Sequence, residues 1–594
     1  MIIQALCDYY DRKAADPDSG IAPPGLESKE IKFVIEIDEE GNFLNLKDMR
    51  EGKKGHFYII PASCGRTGSS GWQKAFLLWD HYGYVLGHPK KENNSSKKKK
   101  AMEMARKQNA TFVDRIRSLP KEVRADIGVN AVLTFYEKEQ GVRVKGHSNW
   151  ETCSGIPGCN LSFQLAGDTC LVPERPAVLE YAKALASQVL EGPEGRCLAT
   201  GRKGPIKRLH SATAIPGSQS TAILIGCQNN SGYDSYHKER AYNAPMCPEA
   251  ENAYTTALNY LTRSADSKVY IGDTTTVFWS ERRASSNFDL EGNFPLFFAD
   301  PPKDDPDRGI RAVKALFESI RSGKLSTDND NRFFVLGLTP NAARVSVRYW
   351  KTGAVREFSH RIAEHFEDLA IAKGANDPEY FSLNSLLCAT VLDYKRENIP
   401  PNLAGEVVSS ILDGTPYPET LFMQCLRRIR AERKVTYKRA AIIKACLNRK
   451  NRFYKNEQKE VAMALDDTNL NPSYLLGRLF AILEKVQKEA NPSIKATIRD
   501  RFYGAASSTP ITVFPQLLKL KNHHLSKLGH QGRNIFFEKL IGQVMDGLST
   551  FPAHLTFSEQ AQFAIGYYHQ RQNFFEKKNS TQEGTNRKEI KKDV

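Results

Sequence analysis

The strongest constraint on the fold is a change in hydrophobic period near residue 359. Before it, apolar and polar residues alternate in short runs, as at Ile31–Ile37, which is the period of half-buried strands. Beyond it, apolar residues recur at helical spacing to about residue 572, with breaks marked by proline. The sequence therefore predicts an α+β fold, in which a mixed, strand-containing N-terminal region precedes an all-α C-terminal helical bundle.

The chain has 594 residues, enough for two or more domains. We expect a mixed α/β region at 1–358 and a basic helical region at 359–460. A helical bundle is expected at 461–575, followed by a polar, charged and disordered tail at 576–594.

Local patterns predict individual helices and strands. Helices are expected at Ile3–Tyr10, Thr111–Leu119, Pro248–Thr262 and Ile310–Ser322. Strands are expected at 31–37, Phe57–Ile60, Val132–Glu137, Ala222–Ile225 and Val269–Trp279, with a hairpin turn at Asp38–Gly41 and two strands within Phe333–Trp350. In the bundle, Asn471 before Pro472 predicts an N-cap, and Thr556 and Glu559 have capping-box spacing.

The charge balance is the clearest global clue to a partner. A formal net charge of +16 and a pI of about 9.1 favour a phosphate-bearing partner over simple solubility. No run approaches the roughly 20 apolar residues of a membrane helix, and the opening MIIQALCDYYDRK lacks the features of a signal peptide. Eleven scattered cysteines are typical of reduced cytosolic thiols. We therefore expect a cytoplasmic protein without a membrane partner.

A glycine-rich loop lies between Cys64 and Gly87. Its glycines allow close approach of the backbone to a partner, and its spacing is not that of a Walker A motif. Its polar side chains suit contact with a nucleic-acid groove, and an ordinary surface loop is an equally good interpretation. The candidate motif-reading residues are Arg66, Thr67, Ser69, Ser70, Gln73 and Lys74.

A second polar loop follows the predicted strand at Ala222–Ile225. It carries Asn229 and Asn230, and no strong acid–base pair stands beside them. Such groups suit holding a polymer better than breaking a bond. Gln219, in the sequence PGSQS, is a further candidate for probing a groove.

Two smaller segments also concentrate positive charge. The segment 90–107 predicts a mobile basic loop that leads into a helix, and its lysines either lie along phosphates or are merely solvated. Arg344 and Arg348 either form a phosphate-binding patch with aromatic neighbours or are surface residues of a core hairpin. The candidates in the first segment are Lys97, Lys98, Lys99 and Lys100.

The strongest local signal for nucleic acid is Arg427–Arg452, with eleven basic residues and one acid, Glu432. Helical spacing would spread this charge over most of the surface of the segment. A helix that binds an acidic protein is the alternative. The phosphate-binding or displaced-strand candidates are Arg427, Arg428, Arg430, Arg433, Lys434, Lys438, Arg439, Lys444, Arg449, Lys450 and Arg452.

No pattern predicts catalysis. Asp273 stands alone, and adjacent His523 and His524 face different directions on a helix. The cysteines between 153 and 170 lie near His147 but lack the paired spacing of structural zinc sites, so buried thiols are favoured. We predict no catalytic residue, no metal site, no cofactor and no enzyme activity.

Several short sequence segments, in a fixed order over most of the chain, resemble those of the large subunit of the type I-C CRISPR interference (Cascade) complex. They are MIIQALCDYYDR, RTG–LLWD–YVLG, LHSATAIPGSQSTAILIGCQNNSGYDSY, NAPMCPEAENAYTTALNYL, IGDTTTVFW, VLGLTPNAARVSVRYW, NPSYLLGRLFAILEKVQ and GYYHQRQ. The resemblance implies a subunit that recognises the protospacer-adjacent motif on duplex DNA, aids R-loop formation and holds the displaced strand. The implied partners are double-stranded target DNA, crRNA-containing backbone subunits, small-subunit-like helical chains and a helicase-nuclease that docks after target binding.

The resemblance also implies roles for particular residues. A glycine-rich loop, a lysine and a glutamine wedge read the motif in related complexes, which places the loop at Arg66–Lys74 with Gln73 and Gln219 as competing wedges. It further implies that the C-terminal bundle is made separately by internal translation, with Met463 as the candidate start. A metal-dependent nuclease and an assembly scaffold that binds crRNA or subunits without reading DNA are the alternatives.

Overall fold

The computed structural model describes residues 1–66, 69–92, 94–186, 192–228, 232, 237–283, 288–323, 325 and 331–575. The chain divides into two compact units. The first unit is Met1–Arg263 with Pro340–Ser346, and the second is Ser264–Thr339 with Val347–Val594. The predicted boundaries at 358 and 460 stay predictions, and the predicted tail at 576–594 lies outside the described residues.

The first unit alternates short strands and helices. Its strands are β1 (Leu26–Ile31), β2 (Phe33–Ile37), β3 (Phe43–Asp48), β4 (His56–Pro61), β5 (Trp79–His81), β6 (Asn160–Leu165), β7 (Glu194–Arg196) and β8 (Lys203–Pro205). Its helices are α1 (Ile2–Ala14), α2 (Tyr82–Val85), α3 (Ser95–Arg117), α4 (Lys121–Arg124), α5 (Ile127–Glu137), α6 (Gly141–Lys145), α7 (Trp150–Gly155), α8 (Pro176–Ala186) and α9 (Pro248–Arg263). A four-stranded sheet in the order β3-β2-β6-β5 is accompanied by the two-stranded pairs β1-β4 and β7-β8.

The predicted hairpin at Asp38–Gly41 is confirmed. Strands β2 and β3 pair antiparallel, with Ile35 opposite Leu46. The Asp38 carboxylate accepts hydrogen bonds from the backbone and side-chain amides of Asn42 at 2.7 and 2.8 Å. Gly41 takes a φ of +75°, which glycine adopts without strain. The turn fixes the register that buries Phe33, Ile35 and Ile37 together.

Three strand predictions in the first part of the chain are corrected. The alternating run at 31–37 divides between β1 and β2, which belong to different sheets. Val132–Glu137 lies in helix α5, because Asp126 caps that helix by accepting from the amides of Gly128 and Val129. Ala222–Ile225 forms no strand; Ile223 makes an isolated bridge to Arg344.

Helix α3 is longer than the predicted Thr111–Leu119. It begins at Ser95, where the Asn94 side chain accepts a hydrogen bond from the amide of Ser96. Lys97–Lys100 therefore lie in its first turns rather than in a mobile loop. The N-cap at Asn94 outweighs the loop tendency of Ser95 and Ser96, which form the first turn of the helix.

The second unit contains one sheet and twelve helices among its described residues. Its strands are β9 (Lys268–Ile271), β10 (Thr274–Ser280), β11 (Arg332–Asn341) and β12 (Arg344–Ala354), in the sheet order β12-β11-β10-β9, except that the ends of β11 and β12 within Pro340–Ser346 are assigned to the first unit. Its helices are α10 (Leu290–Phe298), α11 (Arg308–Arg321), α12 (Val355–Leu369), α13 (Leu383–Ala389), α14 (Leu403–Asp413), α15 (Glu419–Glu432), α16 (Tyr437–Tyr454), α17 (Pro472–Ala490), α18 (Ile498–Ala506), α19 (Pro510–Ser526), α20 (Gln531–Met545) and α21 (Phe557–Asn573). The predicted strand Val269–Trp279 is two strands, because Gly272 at a φ of +63° turns the chain between them.

The helix starts predicted in the bundle are confirmed. Asn471 accepts from the amides of Ser473 and Tyr474 at the start of α17. Thr556 and Glu559 form a capping box at the start of α21. The predicted α+β fold is likewise confirmed: among the described residues, strands and helices alternate up to residue 354, and only helices follow from 355 to 573.

The helices of the second unit share one hydrophobic core, which runs from Val269 to Tyr568 along the chain. Helices α17 and α21 make its closest contact at two glycines. A Cβ on Gly477 would lie 2.0 Å from the carbonyl oxygen of Phe563, and one on Gly566 would lie 2.0 Å from that of Tyr474. Both positions therefore require glycine. Throughout the part of the chain that the structure describes, every helix is too short or too polar to cross a membrane.

Candidate nucleic-acid interface

Helix α15 carries a basic surface of the second unit. Leu421, Phe422, Cys425 and Ile429 are buried at helical spacing, which turns Arg427 and Arg430 toward solvent. The helix ends at Arg433, which adopts a left-handed conformation with a φ of +53° as its C-cap. The guanidinium of Arg433 donates to the carbonyl oxygen of Asp500. The cationic end of α15 is therefore held beside α18.

A cleft of about 920 Å³ lies between α15, α18 and the first turns of α21. Four arginines line it: Arg427, Arg430, Arg433 and Arg501. Its apolar surface includes Met423, Ala431, Ala505 and Phe557, and the Phe557 side chain is 51% exposed. We call this site the arginine cleft.

The arginine cleft is strongly positive. Glu419 is the acid among its lining residues, and its carboxylate lies 3.6 Å from the ammonium of Lys450. Within the described chain, no carboxylate pairs with Arg427, Arg430 or Arg501. Guanidinium groups beside an exposed aromatic ring suit a single strand, whose phosphates seek cations and whose bases stack.

Three of the predicted phosphate-binding residues are buried. Arg439 is 0% exposed, donates to the carbonyl oxygen of Ala389 at 2.9 Å and lies 2.7 Å from the Glu432 carboxylate. Arg449 pairs with buried Asp368 at 2.8 Å. These guanidinium groups compensate buried acceptors, so they hold the helices together instead of facing a phosphate.

Lys444 behaves in the same way. Its ammonium donates to the carbonyl oxygen of Asp368 at 3.0 Å, and burial lowers its pKa. Arg452, although partly exposed, forms ion pairs with Asp368, Glu364 and Glu460. The prediction that basic residues cover most of this segment is therefore wrong. The middle of α16 packs into the core, and the basic side chains of this helix form hydrogen bonds and ion pairs with other parts of the chain.

The remaining candidates of this segment are more exposed. Lys434 and Lys450 face solvent, and Lys438 is half-buried. Arg428 lies 3.6 Å from the Glu432 carboxylate and is 15% exposed. Of these side chains, Lys434 follows directly on the C-cap of α15 and can extend the basic surface beyond the arginine cleft.

The glycine-rich loop is held at its base by Arg66. The guanidinium donates to the carbonyl oxygen of Lys74 at 2.6 Å and to both carboxylate oxygens of Asp80, through Nη1 at 3.0 Å. It lies 3.6 and 3.9 Å from the ring centroids of Phe76 and Tyr84. Asp80 is 0% exposed, and burial raises its pKa although the Arg66 charge opposes this. Arg66 is therefore engaged in fixing the loop.

The tip of the loop is available to a partner. Ser69, Ser70, Gln73 and Lys74 are exposed, and the Lys74 ammonium donates to the carbonyl oxygen of Gly65 at 3.1 Å. Thr67 lies outside the described residues. The structure thus separates Arg66 at the base from the side chains that can reach a groove.

The other candidates are dispersed. Gln219 is exposed, and its backbone amide donates to the carbonyl oxygen of Ala342 at 3.2 Å. Arg344 and Arg348 both lie on β12, where Arg348 donates to the Thr339 hydroxyl at 3.0 Å. Asn229 and Asn230 lie outside the described residues. In the described ranges, no group of three or more His, Cys, Asp or Glu side chains is placed to hold a metal ion.

The sequence reasoning missed Arg501 and Phe557. Arg501 comes from a short helix without a run of cations, and Phe557 fits an ordinary core pattern at the start of α21. Only the packing of α18 and α21 beside α15 brings the two side chains into the arginine cleft.

Comparison with known proteins gives one family. A family model described as "CRISPR-associated protein (Cas_Csd1)" matches residues 6–575, nearly the whole chain. No curated protein matches the chain.

Proposed function

Because the chain belongs to the Cas_Csd1 family of CRISPR-associated proteins, we propose that it is the large subunit of a type I-C RNA-guided surveillance complex. In this proposal it recognises the protospacer-adjacent motif on double-stranded DNA, aids R-loop formation and holds the displaced strand. It also offers a docking face to the helicase-nuclease that cuts. Its other partners are crRNA-containing backbone subunits and small-subunit-like helical chains in the cytoplasm.

The observation that supports strand holding is the arginine cleft. Arg427, Arg430 and Arg501 line this cleft together with the exposed ring of Phe557. Charge attracts any phosphate chain, while stacking needs bases that are already unpaired, so the combination favours a single strand over a duplex. Displaced DNA is the single strand that an R-loop supplies.

The test replaces, in the assembled complex, the three cleft arginines that pair with no carboxylate among the described residues. Arg427→Gln, Arg430→Gln and Arg501→Gln together should reduce R-loop formation, measured as permanganate reactivity of the displaced strand. If each contacts one phosphate, the dependence of log affinity on log salt should lose about 0.7 per contact, or about 2 in total.

The control is a triple variant of exposed arginines on α11: Arg308→Gln, Arg311→Gln and Arg321→Gln. It removes the same charge from the same unit. R-loop yield and salt slope that are equal in the two variants would contradict strand holding by the cleft.

Motif reading is assigned to the exposed tip of the glycine-rich loop. Gln73→Ala should abolish the preference for motif-bearing duplex, while Gln219→Ala should leave it intact, because Gln73 shares the loop tip with Ser69 and Ser70. Duplex binding by the complex, with and without the motif, measures this. If Gln219→Ala abolished the preference and Gln73→Ala left it intact, the wedge would be assigned to Gln219.

We also propose that the chain is not an enzyme and leaves cleavage to the docked helicase-nuclease. Purified chain with magnesium or manganese and end-labelled DNA should release no fragments. Metal-dependent cleavage that persists through purification would support the nuclease alternative. A complex that finds its target normally without this chain would support the scaffold alternative.

A further inference from the structure

The first ten residues of α3 form an exposed basic helix. Residues 95–104, here called the lysine arm, contain Lys97, Lys98, Lys99 and Lys100, and all four side chains are exposed. The first buried residue of α3 is Ala105. The helix therefore runs for ten residues without burying a side chain of its own.

The lysine arm carries almost uncompensated charge. The first two turns of α3 contain no acid, and the one acid of the arm, Glu103, lies 2.7 Å from the ammonium of Lys107. Among the described residues, no carboxylate forms a close ion pair with the four lysines, and Glu103 interacts with Lys99 only at longer range. Four adjacent cations repel one another, so an extended polyanion is the complementary partner.

The same helix is fixed to the candidate motif-reading loop. The body of α3 packs against the short turn Gly71–Gln73 of that loop. The Arg115 guanidinium donates to the carbonyl oxygen of Ala75 at 2.5 Å, and the Asn109 side chain donates to the carbonyl oxygen of Tyr84 at 2.7 Å. The lysine arm and the loop therefore belong to one rigid surface within the first unit.

The separation of the two features follows from helix geometry. Lys100 and Lys97 precede Arg115 by 15 and 18 residues, and a rise of 1.5 Å per residue puts them about 22 and 27 Å along the helix. A DNA duplex rises about 3.4 Å per base pair. The lysines are thus about six to eight base pairs from the base of the loop.

We propose that the lysine arm binds the phosphodiester backbone of the duplex that flanks the recognised motif, about six to eight base pairs along the duplex from the base of the motif-reading loop. This rests on the proposed function, in which the loop tip reads the motif. The flank in question lies on the side away from the guide-matched segment, where the DNA stays paired. The arm adds affinity that depends on flank length, and the loop supplies the motif preference.

The experiment uses the assembled complex and motif-bearing duplexes with flanks of about 4 or about 16 base pairs, shorter and longer than the reach of the arm. One variant carries Lys97→Gln, Lys98→Gln, Lys99→Gln and Lys100→Gln. The control variant replaces four exposed lysines elsewhere on the first unit, Lys53, Lys54, Lys121 and Lys203, with glutamine.

The wild-type complex and the control should bind the long flank more tightly than the short one, and the arm variant should lose this gain. All three should bind the short flank alike and keep the motif preference. With up to four phosphate contacts, raising salt from about 50 to about 200 mM should weaken long-flank binding up to about a hundredfold more for wild type than for the arm variant. Amide hydrogens of residues 95–104 should exchange more slowly on the long flank.

Equal affinities of wild type and arm variant on the long flank would overturn the inference. An equal loss of affinity on both flanks would also overturn it. So would an arm variant that binds DNA normally but dissociates from its protein partners, because the arm would then contact protein instead of DNA. Absence of motif preference in the wild-type complex on both duplexes would overturn the proposed function and this inference with it.

Discussion

The ion pair of Arg66 and Asp80 tests how much local stability is lost when a buried charge loses its partner. Asp80 is 0% exposed and Arg66 retains 21% exposure, so the two residues differ in what their removal leaves behind. Arg66→Met strands an ionised carboxylate in the core, whereas Asp80→Asn leaves a guanidinium that can reach water. Methionine also preserves much of the contact with the rings of Phe76 and Tyr84.

The expected cost of Arg66→Met is about 3 kcal/mol, the lower end of the 3–5 kcal/mol range for breaking a buried pair, because Arg66 is partly solvated already. Asp80→Asn should cost about 2 kcal/mol, because the single carbonyl oxygen of asparagine keeps only one of the two backbone hydrogen bonds, while the guanidinium of Arg66 can turn to water. Arg66→Lys should lie between wild type and Arg66→Met, because it keeps the charge but loses the planar fork.

The assay is hydrogen exchange at the amides of Phe76 and His81, which donate to the Asp80 carboxylate at 2.9 and 2.8 Å. A local probe is needed because a chain of two units need not unfold in one step. A cost of about 3 kcal/mol corresponds to exchange about a hundredfold faster in Arg66→Met than in wild type.

The pH dependence has a definite sign. Burial raises the pKa of Asp80 above its ordinary value of 3.8, so the folded state binds this proton more tightly than the unfolded state does. Removing Arg66 raises that pKa further. The penalty of Arg66→Met should therefore be largest near neutral pH and shrink on acidification, as the stranded carboxylate becomes protonated. A penalty that grew on acidification, or one smaller than that of Asp80→Asn, would refute the reasoning.

Three further outcomes are expected. Gly477→Ala should destabilise the second unit by about 3 kcal/mol or more, because its Cβ would collide with backbone, while Gly504→Ala should cost nothing measurable in thermal unfolding. A destabilised Gly504→Ala would mean that something other than the collision sets the cost, because alanine is the better helix former and a Cβ at Gly504 meets nothing within 4 Å. Asn471→Ala should cost about 1 kcal/mol through loss of the helix cap, measured in the same assay; no loss would show that the cap is dispensable. Expression of the untagged gene should yield a second chain of residues 463–594, and Met463→Leu should remove it; its absence from wild type would contradict the internal start.

Local signals predicted local structure well. Capping residues identified the starts of α17 and α21, and the turn at Asp38–Gly41 identified the β2–β3 hairpin, because each depends on side chains within a few residues. Val132–Glu137 was predicted wrongly because its β-branched and aromatic residues also suit a strand. The cap at Asp126 decided that case.

The candidate site was harder to predict because a run of basic residues does not show which side chains face solvent and which face the core. Arg427 and Arg439 are similar members of one basic segment, yet the first lines a cleft and the second is fully buried. Whether each side chain is exposed or buried depends on which face of α15 or α16 packs against the core. Arg501 joins the cleft from a distant part of the chain, and no local window contains that information.

The burial of α21 limits what separate copies of the C-terminal bundle can do. Residues Gln560–Gln570 of this helix are buried, it packs against α15, α16 and α17, and the Tyr568 hydroxyl donates to the carbonyl oxygen of Ala372 at 2.7 Å. A bundle made on its own would lack α15 and α16 and would leave that apolar side uncovered. In the full chain the covalently joined copy already fills the place beside them, at an effective concentration that free copies cannot match. If internal translation supplies separate bundles, we expect other faces to recruit them and a different neighbour to cover this helix, as self-association of free bundles would do.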